Sequence, residues 1–128
     1  MRSVTTHGLT VRFGIVPAEK APRALEEGGV PGDTKAQASY HFVVALLDAR
    51  TGPRIDDAMI LARMTSPASK ARLKVQIKRS PAFTVNGMVT YGNYFDMPWA
   101  GRYRIDLSVR RRDGADTVHV RLNYEPSL

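Results

Sequence analysis

The sequence predicts a single immunoglobulin-like antiparallel β-sandwich of about seven strands, formed by one domain that spans residues 1–128. Hydrophobic and polar residues alternate along several short segments, and turns rich in glycine and proline separate these segments. No segment shows convincing helical periodicity, and 128 residues suit one domain with one core. A small β-barrel is the alternative architecture for such a pattern.

The first predicted strand begins at Leu9, and every second residue is apolar through Ile15 until Pro17 ends the pattern. Residues 17–38 follow, and their prolines, glycines and charges predict a long surface loop. The second strand, residues 39–48, is apolar almost throughout, as in a central strand. We expect Phe42 and its alternate neighbours to share one face and His41 and its alternate neighbours to share the other.

The remaining strands are predicted by the same alternation. In residues 58–64, Met59 and Leu61 fall on the face opposite Ile60. Residues 73–78 predict an edge strand in which the lysines alternate with inward-facing apolar residues. Residues 83–97 predict a fifth segment, interrupted at Gly87 and Gly92. Residues 103–110 and 118–124 predict a hairpin with a turn at 112–115 and a buried face that includes Leu107.

Composition excludes several classes of function. The chain has no cysteine, which removes disulfide frameworks, thiolate metal sites and cysteine nucleophiles. It has no run of about 18 apolar residues, so direct membrane insertion is not expected. No nucleotide-binding, hydrolase or metalloprotease motif is present, and the acidic pairs Glu26-Glu27 and Asp56-Asp57 are typical of a solvated surface. The sequence therefore predicts a protein that is not an enzyme.

Basic residues give the chain a net charge of +7 and favour anionic partners. Arg102, Arg104 and Arg121 are predicted to lie on the outward face of the last hairpin. Nucleic acid is not expected there, because Tyr103 and Tyr124 fall on the core face and cannot stack on bases. One interpretation is a solvated face; the other is an interaction module that docks an acidic partner.

Imidazole and thioether groups suit copper, and both are present in this chain. Considered singly, His41 is typical of a satisfied, half-buried structural histidine, and the methionines are typical of core residues. The spacing of these residues alone therefore neither predicts nor excludes a metal site.

Four segments, residues 39–52, 55–58, 88–98 and 101–105, resemble the YtkA-like family of exported bacterial domains. The most specific is Tyr-Gly-Asn-Tyr-Phe followed by Met97-Pro98. More remotely, the chain resembles periplasmic iron-transport proteins that carry copper or iron on an immunoglobulin-like sandwich. The resemblance implies a metal site at His41 and Met88. It also places Glu27 where closer relatives have a histidine, so Glu27 is implied as a third ligand.

The resemblance implies a non-enzymatic metal-binding or metal-transport accessory domain for copper or iron, located in the periplasm or cell envelope. Its implied partner is a membrane transporter or another envelope protein. Met1 to His7 show no export signal. The sequence is expected to be either a cytoplasmic protein or a mature form whose signal has been replaced by an initiator methionine.

Overall fold

The computed structural model describes residues 2–17, 39–67, 74–112 and 116–125, with Ser39 described through its backbone. These residues form two antiparallel sheets. The strands are β1 (Arg2–Thr6), β2 (Leu9–Pro17), β3 (Ser39–Asp48), β4 (Ala58–Thr65), β5 (Val75–Arg79), β6 (Ala82–Val85), β7 (Met88–Asp96), β8 (Tyr103–Arg111) and β9 (Val118–Tyr124). Sheet A has the strand order β1-β2-β3-β7-β6, and sheet B has the order β5-β4-β8-β9.

The core lies between the sheets and is formed by alternate residues of facing strands. On β8 the buried residues are Tyr103, Ile105, Leu107 and Val109, each 1% exposed or less. This confirms the face predicted for the last hairpin, whose strands pair in antiparallel register. Its predicted turn includes residues 113–115, which lie outside the described residues, as do residues 18–38 of the predicted long loop.

The described residues contain nine strands, two more than the seven segments that alternation predicts. Two tight hairpins account for the difference. His7-Gly8 connects β1 to β2, and Asn86-Gly87 connects β6 to β7; all four residues have positive φ, between 48° and 78°. Two-residue turns of this kind match the twist of paired strands and favour Asn-Gly. The predicted interruption at Gly92 is also wrong, because β7 continues through it.

The orientation predicted for β5 is reversed in the structure. Val75 and Ile77 are exposed, whereas Lys74, Gln76 and Lys78 are partly buried. The side-chain amide of Gln76 donates to the Asp96 carbonyl (2.7 Å) and accepts from the Asp96 amide (2.9 Å). These inward side chains therefore bond the backbone of β7 and join one edge of sheet B to sheet A.

Lysines strengthen this junction. The Lys78 ammonium donates to the Tyr94 carbonyl at 2.8 Å, and the Lys74 ammonium pairs with the Asp96 carboxylate at 2.5 Å.

In the part of the chain that the structure describes, no helix has the length and apolarity needed to cross a bilayer.

Candidate functional site

His41 lies on β3, on the face of sheet A that points away from the core. Its neighbour Phe42 is part of the core, which confirms the predicted division of this strand into two faces. The cross-strand partners of His41 are Val16 on β2 and Tyr94 on β7. The ring of Tyr94 lies 4.6 Å from the imidazole and the ring of Phe83 lies 5.7 Å away, both in edge-on arrangements. The histidine is therefore held in an aromatic environment.

Gly92 provides the space for this arrangement. A Cβ atom at this position would lie 2.6 Å from the Phe42 carbonyl oxygen, 3.1 Å from Cε1 of His41 and 3.2 Å from Cε1 of Phe83. A backbone oxygen cannot move aside as easily as the end of a flexible side chain. Only glycine at position 92 lets the two rings and the β3 backbone lie this close together.

The imidazole of His41 is fully buried, with 0% of the residue exposed. Neither Nδ1 nor Nε2 forms a hydrogen bond with any residue that the structure describes. The expected satisfied, half-buried histidine is therefore wrong on both counts. Burial lowers the pKa of His41 from 6.5 to about 4, so the ring is neutral near pH 7. Neutral imidazole is the form that binds metals. Buried polar atoms normally have a partner, and an unpaired imidazole nitrogen can bind a metal ion.

The structure does not bring Met88 to this ring. Met88 begins β7 and is 48% exposed, whereas Tyr94, opposite His41, lies six residues farther along the strand. At a rise of about 3.3 Å per residue, the backbones of Met88 and Tyr94 are about 20 Å apart. The expected convergence of His41 and Met88 at one end of the sandwich is therefore not found. At this separation, His41 and Met88 cannot bind the same metal ion.

Glu27, the third implied ligand, lies outside the described residues. Among the described ranges, no group of three or more histidine, cysteine, aspartate or glutamate residues is placed to hold a metal. The described residues therefore supply one suitable metal ligand, the buried, neutral and unpaired imidazole of His41. A complete metal centre requires further donors.

The arginines predicted to bind a partner lie on or beside sheet B. Arg104 and Arg121 are exposed on its outer face, and Arg102 is exposed just before β8. Both face arginines contact Asp106, at 3.1 Å from Arg104 and 2.8 Å from Arg121. Partial burial acts to raise the pKa of Asp106, but the hydrogen bond and charge of Arg121 and the charge of Arg104 outweigh it and hold the pKa below its usual range.

Four large apolar side chains share the outer face of sheet B with these arginines. They are Met59 (66% exposed), Leu61 (43%), Val75 (39%) and Ile77 (60%). We call them the apolar band. The sequence predicts that Met59 and Leu61 lie opposite Ile60, which is a core residue. It does not predict their proximity to Val75 and Ile77, because the predicted orientation of β5 is the reverse of the observed one.

No protein-family model matches the chain, and no curated protein sequence matches it. Several solved structures are similar. A DUF4426 family protein from Pseudomonas aeruginosa is 13% identical with a TM-score of 0.74, covering 98% of this chain and 93% of its own. A copper-bound variant of FetP from uropathogenic Escherichia coli is 13% identical with a TM-score of 0.72, covering 97% and 93%.

Copper-reconstituted P19 from Campylobacter jejuni is 12% identical with a TM-score of 0.71, covering 97% of this chain and 92% of its own. Such identities show the fold, and the predicted β-sandwich is confirmed. The YtkA-like resemblance is not confirmed. The more remote resemblance, to metal-carrying periplasmic sandwiches, agrees in fold with FetP and P19.

Proposed function

We propose that this protein is a non-enzymatic metal-binding accessory domain in which His41 is the principal ligand for a copper ion. One observation carries the proposal: the His41 ring is fully buried and both of its nitrogens lack a hydrogen-bond partner among the described residues. Leaving such polar atoms unpaired costs about 1 to 3 kcal/mol. A bound ion would remove part of that cost by engaging one nitrogen.

The donor set decides which metal is proposed. Without Met88 the site has no thioether, so the preference of methionine for Cu(I) no longer applies. Imidazole with carboxylate oxygen from Glu27 accepts either copper or iron, and nitrogen and oxygen sites generally bind Cu²⁺ more tightly than Fe²⁺. Copper-bound FetP and P19, which share the fold, support the same choice.

The low pKa of His41 also favours metal binding near pH 7. Protons compete with metals for imidazole, and a ring whose pKa is about 4 offers no such competition at neutral pH. Because the ring is buried, copper reaches it only when the residues over it open. Uptake at His41 is therefore expected to be slower than at the exposed His7 or His119.

Copper titration of the tag-free, chelator-treated protein tests the proposal. A chromophoric chelator measures competition for Cu²⁺, and electron paramagnetic resonance detects a bound nitrogen. Wild-type protein should bind one equivalent, His41→Leu should lose it, and Glu27→Gln should bind more weakly. Met88→Leu and the double variant His7→Asn/His119→Asn are matched controls that should keep it. Equal binding by wild type and His41→Leu, or no binding by wild type, would overturn the proposal.

We further propose that the domain works in the periplasm or cell envelope, as an accessory to a membrane transporter or another envelope protein. FetP, which shares its fold, was isolated after expression in the periplasm of Escherichia coli. Fractionation of cells that express the complete gene product tests the location. Recovery in the cytoplasmic fraction alone would contradict it.

A further inference from the structure

The outer face of sheet B combines exposed apolar side chains with arginines in a regular arrangement. Met59 and Leu61 are alternate residues of β4, and Val75 and Ile77 are alternate residues of β5. The register of the two strands places all four on the same side of the sheet. Arg63 lies directly opposite Ile77, which makes Leu61 and Ile77 diagonal neighbours. The apolar band therefore runs continuously across two strands.

An arginine lies opposite three of the four members of the band. Arg79 is paired with Leu61 and Arg63 with Ile77 across the β4–β5 ladder. Arg110 is paired with Met59 across the β4–β8 ladder. Within the described ranges, none of these three guanidinium groups forms an ion pair, and Asp106, which lies opposite Arg63, is bound by Arg104 and Arg121. The face thus carries positive charge that the described residues do not neutralise.

We propose that this face docks an acidic protein segment that presents apolar side chains and carboxylates together on one side. Carboxylates would meet Arg63, Arg79 and Arg110, and apolar side chains would cover the band. The proposal does not depend on the metal site, which lies on the outer face of the other sheet. The face extends beyond the arginines that the sequence singled out, because it includes β4 and β5.

The surface suits a protein segment in extended conformation. Two shallow depressions flank Leu61, one bordered by Met59 and Arg110 and the other by Ile77 and Asp106. Depressions accept protruding side chains. Residues i and i+2 of an extended segment are spaced like Met59 and Leu61 on β4, so the partner can pack strand against strand as stacked sheets do.

Other occupants fit the same face less well. A second copy of this chain would place arginine against arginine. Nucleic acid would require aromatic side chains for stacking, and Tyr103 is buried in the core. A bilayer surface favours tryptophan and tyrosine at its boundary, and the band is aliphatic apart from a thioether.

The probe is a short synthetic peptide with threonine at its even positions and valine and glutamate sharing its odd positions. A second peptide, in which serine replaces every valine, has the same charge without the apolar face. Fluorescence anisotropy measures the affinity of the full-length protein for each peptide. Wild type should bind the valine peptide about tenfold or more tightly than the serine peptide, because only the former buries apolar surface against the band.

Two variants divide the face into its components. Met59→Thr/Leu61→Thr should lose the preference for the valine peptide while keeping the salt-dependent component. Arg63→Ser/Arg79→Ser should weaken binding of both peptides about tenfold or more in low salt and reduce the salt dependence. Arg12→Ser/Arg50→Ser is the matched control, because it removes the same charge at exposed positions away from this face. Its affinity should stay close to that of wild type.

Several results would overturn the proposal. The first is that wild type does not bind the valine peptide, and the second is that it binds the two peptides equally. The third is that Arg12→Ser/Arg50→Ser lowers the affinity for the peptides as much as Arg63→Ser/Arg79→Ser does. A fourth is tighter binding to phosphatidylglycerol-containing vesicles than to the valine peptide, which would identify a membrane-binding face instead. Failure of copper binding in the His41 experiment would leave all of these outcomes unchanged.

Discussion

The buried imidazole of His41 should make the stability of the protein depend on pH in a defined interval. In the unfolded chain this group titrates near 6.5, and in the folded protein its pKa is about 4. Below pH 6.5 the unfolded state takes up a proton that the folded state does not, so unfolding becomes easier as the pH falls. The neutral ring is thus compatible with full stability above pH 6.5, and stability is lost between pH 6.5 and pH 4.

The size of the effect follows from the two pKa values. One unit of pKa difference corresponds to about 1.4 kcal/mol, so the complete loss is about 3 kcal/mol. Integration from pH 7.5 to pH 5 gives about 2 kcal/mol, because at pH 5 the unfolded group is almost fully protonated and the folded group almost fully neutral. For a domain of this size, such a loss is a large fraction of a total stability of about 5 to 15 kcal/mol.

The assay is urea unfolding of wild type and His41→Leu at pH 7.5 and pH 5, with a chelator present to keep metals away. Leucine has nearly the size of histidine, lacks the unpaired nitrogens and does not titrate. Wild type should lose about 2 kcal/mol more than the variant on acidification. Asp48 and Asp106, whose pKa values lie below the usual 3.8, are present in both proteins and titrate at lower pH, so they cancel.

Equal losses in wild type and His41→Leu would refute the reasoning. That result would mean that the folded protein protonates His41 as easily as the unfolded chain does. The ring would then have water or a hydrogen-bond acceptor beside it, and the observation that carries the metal proposal would be removed.

Two further substitutions test the fold. Leu107→Ala should cost about 2 to 5 kcal/mol in urea unfolding, because the fully buried side chain leaves a cavity; a change below about 0.5 kcal/mol would show that β8 is shifted by one residue. Gly92→Ala should cost about 1 to 3 kcal/mol, because the new methyl group would lie 2.6 Å from the Phe42 carbonyl oxygen, and an unchanged unfolding midpoint would show that β3 and β7 are not this close.

Local alternation predicted the buried face of β8 correctly, whereas it assigned the two faces of β5 the wrong way round. On β8, the buried face that includes Leu107 can be read from the sequence, because a half-buried strand must alternate with period two. The same rule separated His41 from Phe42. The rule did not indicate that the His41 ring is unpaired, because that depends on Tyr94 and Phe83, which come from two other strands.

One short-range signal in the sequence indicates a hairpin within the predicted segment 83–97. Asn86-Gly87 between alternating residues is a strong indicator of a two-residue hairpin, and it separates β6 from β7. The predicted segment 83–97, with interruptions at Gly87 and Gly92, joins β6 and β7 into one unit. Distinguishing the two glycines requires the pairing register, since Gly92 is set by contact with β3 rather than by a turn.

The reversal of β5 has a consequence for the apolar band. Because alternate residues of a strand point in opposite directions, turning Gln76 toward β7 forces Val75 and Ile77 toward solvent. Their exposure is thus explained by the closure of the sandwich and needs no partner. Met59 and Leu61 are different: β4 lies inside sheet B, and polar residues at these positions would serve its packing equally well. The case for a docked partner therefore depends on β4, and Met59→Thr/Leu61→Thr is the variant that decides it.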